Sequence, residues 1–333
     1  MKPHSFLAPF KALCGAVLIT CASLGQAAAP TISGQERAAL VFQILASEMA
    51  LAQGEVGIAA MTYLSVARQT EDPAAARRAT ELAIEARLPQ RAEEAAHIWL
   101  ASAPNDREAQ TTLDLLQVML GETEKLIRSL QPRRDLAAND NRLDSFYDYV
   151  AGLAGRANDR LQGLRLFEAI SNPHATKSNV LYTRAMLHER AGQHAEMESM
   201  LRDLIKREPA HAHAHNALGY HFADKNIRLS EALSLIEKAL ALAPNDAHII
   251  DSMGWVHFRL GNLELAEKYL RRAHAKQPDA EISTHLGEVL WVKGNTIEAQ
   301  AYLRAAFSSD PSNEVLLETL KRLGIPPLQV HPR

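Results

Sequence analysis

The sequence predicts an all-α fold, an α-solenoid of about eight helical hairpins closed by a C-terminal capping helix. Ala, Leu, Glu and Arg are abundant among its 333 residues and aromatic residues make up only 5%, a composition that favours helix. Four prolines recur at intervals of 35, 34 and 33 residues: Pro209, Pro244, Pro278 and Pro311. Three glycines keep step with them at intervals of 35 and 33 residues: Gly219, Gly254 and Gly287. Independent markers that share a spacing of about 34 residues indicate a repeat.

Each repeat unit is predicted to consist of two amphipathic helices, as the unit that ends at Pro278 illustrates. IIDSMGWVHFRLG forms a first helix up to Gly261, and LELAEKYLRRAHAKQP forms a second helix up to Pro278. Gly254 and Ala266 are expected to face each other, because only small residues allow two helices to approach closely. Pro278 ends the second helix because it lacks an amide donor.

The domain organisation follows from where the repeat markers are strong and where they fade. The turns of the earlier hairpins are predicted at Gly54, near Pro89, at Gly121 and near Gly155. We expect degenerate hairpins over residues 36–130 and a linker or register break (QPRRDLAANDN) over 131–141. An intermediate hairpin is expected over 142–177, four well-formed units over 178–311 and a capping helix over 312–324.

Residues 1–27 have the order of a secretory signal peptide. Two lysines precede the apolar stretch ALCGAVLIT, and the small-residue run CASLGQAAAP follows. Two outcomes stay open: cleavage after Ala27, or recognition of LITC as a bacterial lipobox with lipidation of Cys21. Either outcome predicts export. Both cysteines, Cys14 and Cys21, lie in this segment, so no disulfide is expected in the mature chain.

Composition and motifs argue against several function classes. The net charge of -3 gives no reason to expect nucleic acid as a partner. No segment after residue 30 approaches the roughly 20 apolar residues that span a bilayer, so membrane contact is expected only through a lipid anchor. No nucleophile, general base or cofactor motif is recognisable, and we predict a protein without enzymatic activity or cofactor.

The tract HAHAHNALGYHFAD, which starts at His211, raises the question of a metal site. On a strand, His211, His213 and His215 would share one face, whereas on a helix His213 points about 200° away from His211. Because Pro209 closes one unit and Gly219 lies in the first helix of the next, the tract is predicted to begin a helix. His211 and His215 are then two ligands at most, and zinc takes three or four. No metal site is predicted, and these histidines are expected to cap the helix or lie at the surface.

The best-formed units resemble the tetratricopeptide repeat (TPR) family. The matching positions are Leu218, Gly219, Ala232, Ile236, Ala239 and Pro244, then Met253, Gly254, Ala266, Leu270, Ala273 and Pro278, then Leu286, Gly287, Ala299, Leu303, Ala306 and Pro311. The resemblance implies that the first helix of each unit lines a concave groove for a protein partner. Carried over to this sequence, it gives the groove residues Tyr182, Met186, His213, Asn216, Tyr220, His248, Asp251, Trp255, Phe258, Glu288 and Trp291.

Aromatic side chains in such a groove are typical anchors for a bound partner. The alternative is that Trp255 and Trp291 pack against the next unit. On the groove interpretation, Trp255→Ala combined with Tyr220→Ala weakens partner binding and leaves helical content and melting temperature nearly unchanged. Some members of the family bind C-terminal peptides through a carboxylate clamp of basic and amide residues. Only Asn216 matches that clamp in this sequence, and other groove positions are acidic. A partner with apolar and basic features is therefore expected.

A closer resemblance is to proteobacterial envelope TPR adaptor lipoproteins that bind and activate carboxyl-terminal processing proteases. Its strongest carrier is ALGYHFADKNIRLSEALSLIEKALALAPNDAHIIDSMGWVHFRLGNLELAEKYLRRA, and QILASEMALAQGEVGIAAMTYLSVAR resembles the family less closely. It implies an adaptor, periplasmic or attached to the outer membrane, that holds a protease or its substrate. The alternative is a scaffold for an envelope machine such as a pilus, secretion or polysaccharide-export complex. The oligomeric state stays open.

Overall fold

The computed structural model describes residues 33–326, and over this range the all-α prediction is confirmed. These residues form seventeen α-helices and one short 3-10 helix, Asn172–His174, with no strand among them. The predicted signal peptide, residues 1–27, and the lipidation candidate Cys21 lie outside the described residues. Within residues 33–326, no helix combines the length and the apolar character needed to cross a membrane.

Sixteen helices pair in chain order into eight hairpins, units one to eight, and the last helix stands alone. The bounds are α1 Gly34–Ala52, α2 Val56–Thr70, α3 Pro73–Glu85, α4 Pro89–Ser102, α5 Arg107–Met119, α6 Thr123–Asn139, α7 Leu143–Gly155, α8 Arg160–Ser171, α9 Ser178–Arg190, α10 His194–Arg207, α11 Ala212–Asp224, α12 Leu229–Leu242, α13 Ala247–Arg259, α14 Leu263–Lys276, α15 Ala280–Val292, α16 Thr296–Ser309 and α17 Glu314–Leu323. Helix α17 packs on α15 and α16. The predicted eight hairpins and capping helix are therefore confirmed.

Local chemistry explains where the helices begin and where the hairpins turn. Asp246 caps α13, because its carboxylate accepts hydrogen bonds from the amides of His248 at 2.9 Å and Ile249 at 3.1 Å. Between α13 and α14, Gly261 adopts a φ of 80°, a left-handed conformation that glycine enters without steric cost. These local signals repeat along the chain, and the hairpin repeats with them.

The two helices of a well-formed unit meet at a glycine. A Cβ placed on Gly254 would lie 2.6 Å from Cγ of Leu270 and 3.1 Å from the carbonyl oxygen of Ala266. The predicted approach of Gly254 to Ala266 is confirmed. The same arrangement recurs at Gly219 and Gly287, so each of these helix pairs depends on a missing side chain.

Gly254→Ala is expected to lower the free energy of unfolding by about 1–3 kcal/mol, because the added methyl group would overlap the Leu270 side chain. Gly57→Ala is the matched control: Gly57 also lies in a helix, α2, and no atom lies within 4 Å of the position its Cβ would take. The control is expected to match or exceed the wild-type stability. Urea unfolding followed by circular dichroism compares the two. Equal midpoints for both variants would contradict the packing explanation.

The structure corrects the prediction of a linker or register break at residues 131–141. Helix α6 continues through this stretch to Asn139 with Pro132 in its interior. Arg133, the next residue, donates a hydrogen bond of 2.6 Å to the buried carboxylate of Asp114. This tertiary ion pair stabilises the second half of α6 and offsets the amide hydrogen bond that Pro132 cannot make. Only residues 140–142 separate α6 from α7, so the expected linker is absent.

Candidate functional site

The eleven predicted groove residues lie on the first helices of units five to eight, α9, α11, α13 and α15, and we call their side of the molecule the inner face. Their exposure differs widely. Two are exposed, His213 and His248. Six are partly buried: Tyr182, Met186, Asn216, Tyr220, Phe258 and Trp291. Three are buried: Asp251, Trp255 and Glu288.

A polar network fills the centre of the inner face. The Tyr220 hydroxyl donates a hydrogen bond of 2.8 Å to Oε1 of Glu281 and lies 3.4 Å from Nε2 of His285. On its other side, the Nδ1 of His285 lies 3.0 and 2.9 Å from the two carboxylate oxygens of Asp251. The four side chains come from α11, α13 and α15, so the network joins units six, seven and eight.

The electrostatics of this network favour an ion pair. Burial alone would lower the pKa of His285, but the charge and the hydrogen bond of Asp251, together with the charges of Glu281 and Glu288, raise it to about 9. Burial and the nearby carboxylates also raise the pKa of the Tyr220 hydroxyl well above its usual value. At neutral pH His285 is therefore protonated and paired. A general base needs a pKa near the working pH, and His285 does not meet that condition.

Trp255 belongs to the core, which corrects the expectation that its ring faces an open groove. Only 1% of the residue is exposed. Its ring stacks on the imidazole of His285 at a centroid distance of 4.1 Å, and the Arg259 guanidinium lies 4.7 Å from the ring centroid. Because His285 belongs to unit eight, the alternative interpretation, packing against the next unit, holds for Trp255.

Asp251 and Glu288 are likewise unavailable to a partner. Glu288 accepts hydrogen bonds of 2.9 and 2.6 Å from Arg322 and one of 3.1 Å from Thr319, both on α17. A buried carboxylate is stable only when it is paired, and these two are paired within the chain. The expectation of an acidic groove for a basic partner is corrected at both positions.

The two exposed histidines of the inner face each lie near another polar or aromatic side chain. The Tyr182 ring lies 5.5 Å from the His211 ring and 6.4 Å from the His213 ring, centroid to centroid. In the neighbouring unit, Nε2 of the exposed His248 lies 3.2 Å from Nε2 of Gln277. Binding through these residues stays a prediction.

The histidine tract begins a helix, as predicted. His211 caps α11, and its Nδ1 accepts a hydrogen bond of 3.1 Å from the amide of Ala214. His215 is buried, which corrects the expectation of a surface position, and its Nε2 lies 3.0 Å from the carbonyl oxygen of Pro209. His211 and His215 therefore stabilise the start of α11.

An apolar surface on α1 was not foreseen. Five apolar residues of α1 follow one another at spacings of four, three, four and three residues, and all are exposed: Ala38, Phe42, Leu45, Met49 and Ala52. Phe42 is 72% exposed and Met49 is 64% exposed. With the adjacent Val41, which is also exposed, these residues form what we call the N-terminal apolar surface.

Comparison with known proteins identifies the repeats. Residues 182–247 and 252–314 match the family model described as tetratricopeptide repeat. These two stretches are similar to tetratricopeptide repeats. Proteins with such repeats generally mediate protein–protein interactions. The matched residues include α11 to α16, where the proline and glycine spacing is most regular.

One curated relative is a TPR repeat-containing protein of Pseudomonas aeruginosa, 51% identical over 105 residues. The match covers 32% of this chain and 18% of the relative, so it spans less than a fifth of the relative's length.

Similar solved structures include a thermophilic TPR protein of Thermus thermophilus, 23% identical, with a TM-score of 0.46 over 54% of this chain and 97% of that one. A tetratricopeptide repeat protein of Parabacteroides merdae is 13% identical, with a TM-score of 0.46 over 86% of this chain and 99% of that one.

Proposed function

We propose that this protein is a non-enzymatic adaptor of the bacterial cell envelope that binds another protein through its N-terminal apolar surface. The partner is a processing protease or its substrate, in keeping with the resemblance of the repeats to envelope adaptors. The single observation that carries the choice of surface is the exposure of the apolar stripe on α1, while the centre of the inner face is occupied by the chain's own side chains.

The two ends of the solenoid differ. At the C-terminal end, α17 covers the last unit and buries Leu316 and Leu320 against it. Within residues 33–326, no helix covers the outward side of α1, where Phe42 and Leu45 lie exposed. A solenoid end with an uncovered apolar face is an unfavourable surface in water unless it binds something.

The spacing of the stripe specifies what binds best. Apolar residues at alternating intervals of four and three form the seam of a coiled coil, which packs against another helix with the same spacing. Glu48 flanks the stripe and is held by a hydrogen bond of 2.6 Å from the Tyr63 hydroxyl. The expected partner element is therefore an amphipathic helix of another protein, with a basic residue beside its apolar stripe.

The test is capture of a carboxyl-terminal processing protease by the purified chain, with two double variants compared with the wild type. Phe42→Glu with Leu45→Glu alters the N-terminal apolar surface, and Tyr182→Ala with His213→Ala alters the accessible inner face. The first variant is expected to lose more than about 90% of captured protease, since two charges would be buried at the contact. The second is expected to keep it. Circular dichroism confirms that each variant is folded.

The other outcomes are equally informative. Loss of capture only in the inner-face variant would move the binding surface to the groove that the sequence predicts. Enrichment of pilus, secretion or export subunits in place of a protease would favour the scaffold function. If the wild type elutes as a dimer and the α1 variant as a monomer, the apolar surface binds a second copy and the proposal fails.

Export forms part of the same proposal and is supported by the order of charged, apolar and small residues in positions 1–27. The intact mass of the mature protein distinguishes cleavage after Ala27 from lipidation of Cys21. A mature chain that still starts at Met1 would contradict export.

A further inference from the structure

Three side chains that are scattered in the sequence converge where unit five meets unit six. Glu189 lies near the end of α9, His194 is the first residue of α10, and His221 lies on α11. The Nδ1 of His194 lies 2.8 Å from Oε2 of Glu189, and the Nδ1 of His221 lies 3.0 Å from Oε1 of the same carboxylate. One ligand atom from each residue lies within 4.8 Å of the other two.

We propose that Glu189, His194 and His221 bind a divalent transition-metal ion of the zinc class. Imidazole nitrogen and carboxylate oxygen are both zinc ligands, and two histidines with one glutamate leave a fourth position for water. Bonds of about 2.0–2.1 Å place neighbouring ligand atoms of a tetrahedral site roughly 3.3 Å apart. The observed distances of 2.8 and 3.0 Å run to the two different oxygens of Glu189, and one ligand atom from each residue lies within 4.8 Å of the others, so side-chain rotations would have to bring the three ligand atoms to this spacing around an ion.

The backbone fixes the directions of the ligands. Gly192 turns the chain between α9 and α10 with a φ of 74°, and this tight turn brings His194 back over Glu189. His221 is only 7% exposed, and its ring contacts the ring of Phe222 at a centroid distance of 5.8 Å. The His194 ring is exposed, and its centroid lies 5.0 Å from that of the His221 ring. One ligand is thus buried, and the other histidine is exposed, so an ion can reach the site from solvent.

The position of the site gives the ion a structural effect. Glu189 and His194 belong to unit five, and His221 belongs to unit six. A bound ion would therefore add a link between two successive units that also meet through apolar packing and through ion pairs such as Arg202–Glu231. A cation, Lys225, already lies near the site, and the charge of Glu189 helps to raise its pKa. Lys225 also pairs with Asp224 at 3.1 Å. The side-chain amine of Lys225 is thus partly neutralised by a carboxylate of its own.

Zinc titration by calorimetry, in a buffer that does not bind metal, tests the proposal on the full exported chain. We expect one zinc ion per chain, and a melting temperature that rises with zinc concentration because the ion binds the folded state. Glu189→Gln and His194→Ala are expected to weaken zinc binding by more than about tenfold each. Both residues are partly exposed or exposed, so their variants are expected to fold. His213→Ala, an exposed histidine elsewhere on α11, is the control and should bind like the wild type.

Cobalt gives an independent check of the ligand set, because four-coordinate cobalt absorbs visible light far more strongly than six-coordinate cobalt. Strong absorption that disappears in Glu189→Gln supports the site. The proposal is overturned if the wild type binds no zinc, if both variants bind it as tightly as the wild type, or if His213→Ala abolishes binding.

Discussion

Trp255→Ala is expected to lower the free energy of unfolding by about 3–5 kcal/mol, among the largest losses for a single substitution in this chain. The indole is almost wholly buried, stacks on the His285 ring and contacts the Arg259 guanidinium. Its removal would leave a cavity between units seven and eight and would end both stacking contacts. Urea unfolding of the full chain, followed by circular dichroism, measures the loss.

His213→Ala is the matched control, since His213 lies exposed on the same face and is expected to change the unfolding midpoint little. An unfolding midpoint close to that of the wild type for Trp255→Ala would show that the ring is accessible after all. That result would restore the groove interpretation, on which the same substitution acts on partner binding and leaves stability nearly unchanged.

A loss of stability with rising pH is the second large effect that we expect. The pKa of His285 is about 9 in the folded chain and 6.5 for the free side chain. Because the folded-state pKa is raised, the contribution is fully present below pH 6.5 and is lost as the pH rises through about 9. Since a tenfold change in proton affinity corresponds to about 1.4 kcal/mol, we expect a loss of a few kcal/mol. Unfolding midpoints measured from pH 6 to pH 10 reveal it.

Asp251→Asn isolates this contribution from other groups that titrate above pH 9. The variant keeps the size of the side chain but removes the charge that holds the proton on His285. We expect it to be less stable at neutral pH and to lose most of the pH dependence between 6.5 and 9. A variant with the same pH profile as the wild type would show that His285 is neutral in the folded chain.

The sequence predicts the fold well because each marker acts locally. Gly254 permits a close helix contact, Gly261 permits a turn, and Pro278 stops a helix; each effect depends on a few neighbouring residues. Repetition of the same markers then reveals the array. The prediction of a break around Pro132 was wrong because the ion pair of Arg133 with Asp114 of the preceding helix outweighs the local effect of proline.

The site was harder to predict because burial on the inner face depends on side chains from other units. Trp255 falls at a groove position by helical register, but His285, 30 residues later, covers its ring. The Glu189 cluster draws on three helices and has no local motif. The stripe on α1 is different, since the spacing from Phe42 to Met49 is visible in the sequence and only its exposure required the structure.

The buried carboxylates also fix the order of the units. Asp114 of unit three is paired with Tyr149 of unit four, Asp251 of unit seven with His285 of unit eight, and Glu288 with Arg322 of the cap. Each of these buried carboxylates has a different donor, whereas exposed ion pairs recur: Arg202 pairs with Glu198 and Glu231, and Arg271 pairs in the same way with Glu267 and Glu298. Two units exchanged or duplicated by recombination would still match in shape, yet would bury Asp251 or Glu288 without its partner, at a cost of about 3–5 kcal/mol. In this array, each unit is therefore suited to its own neighbours.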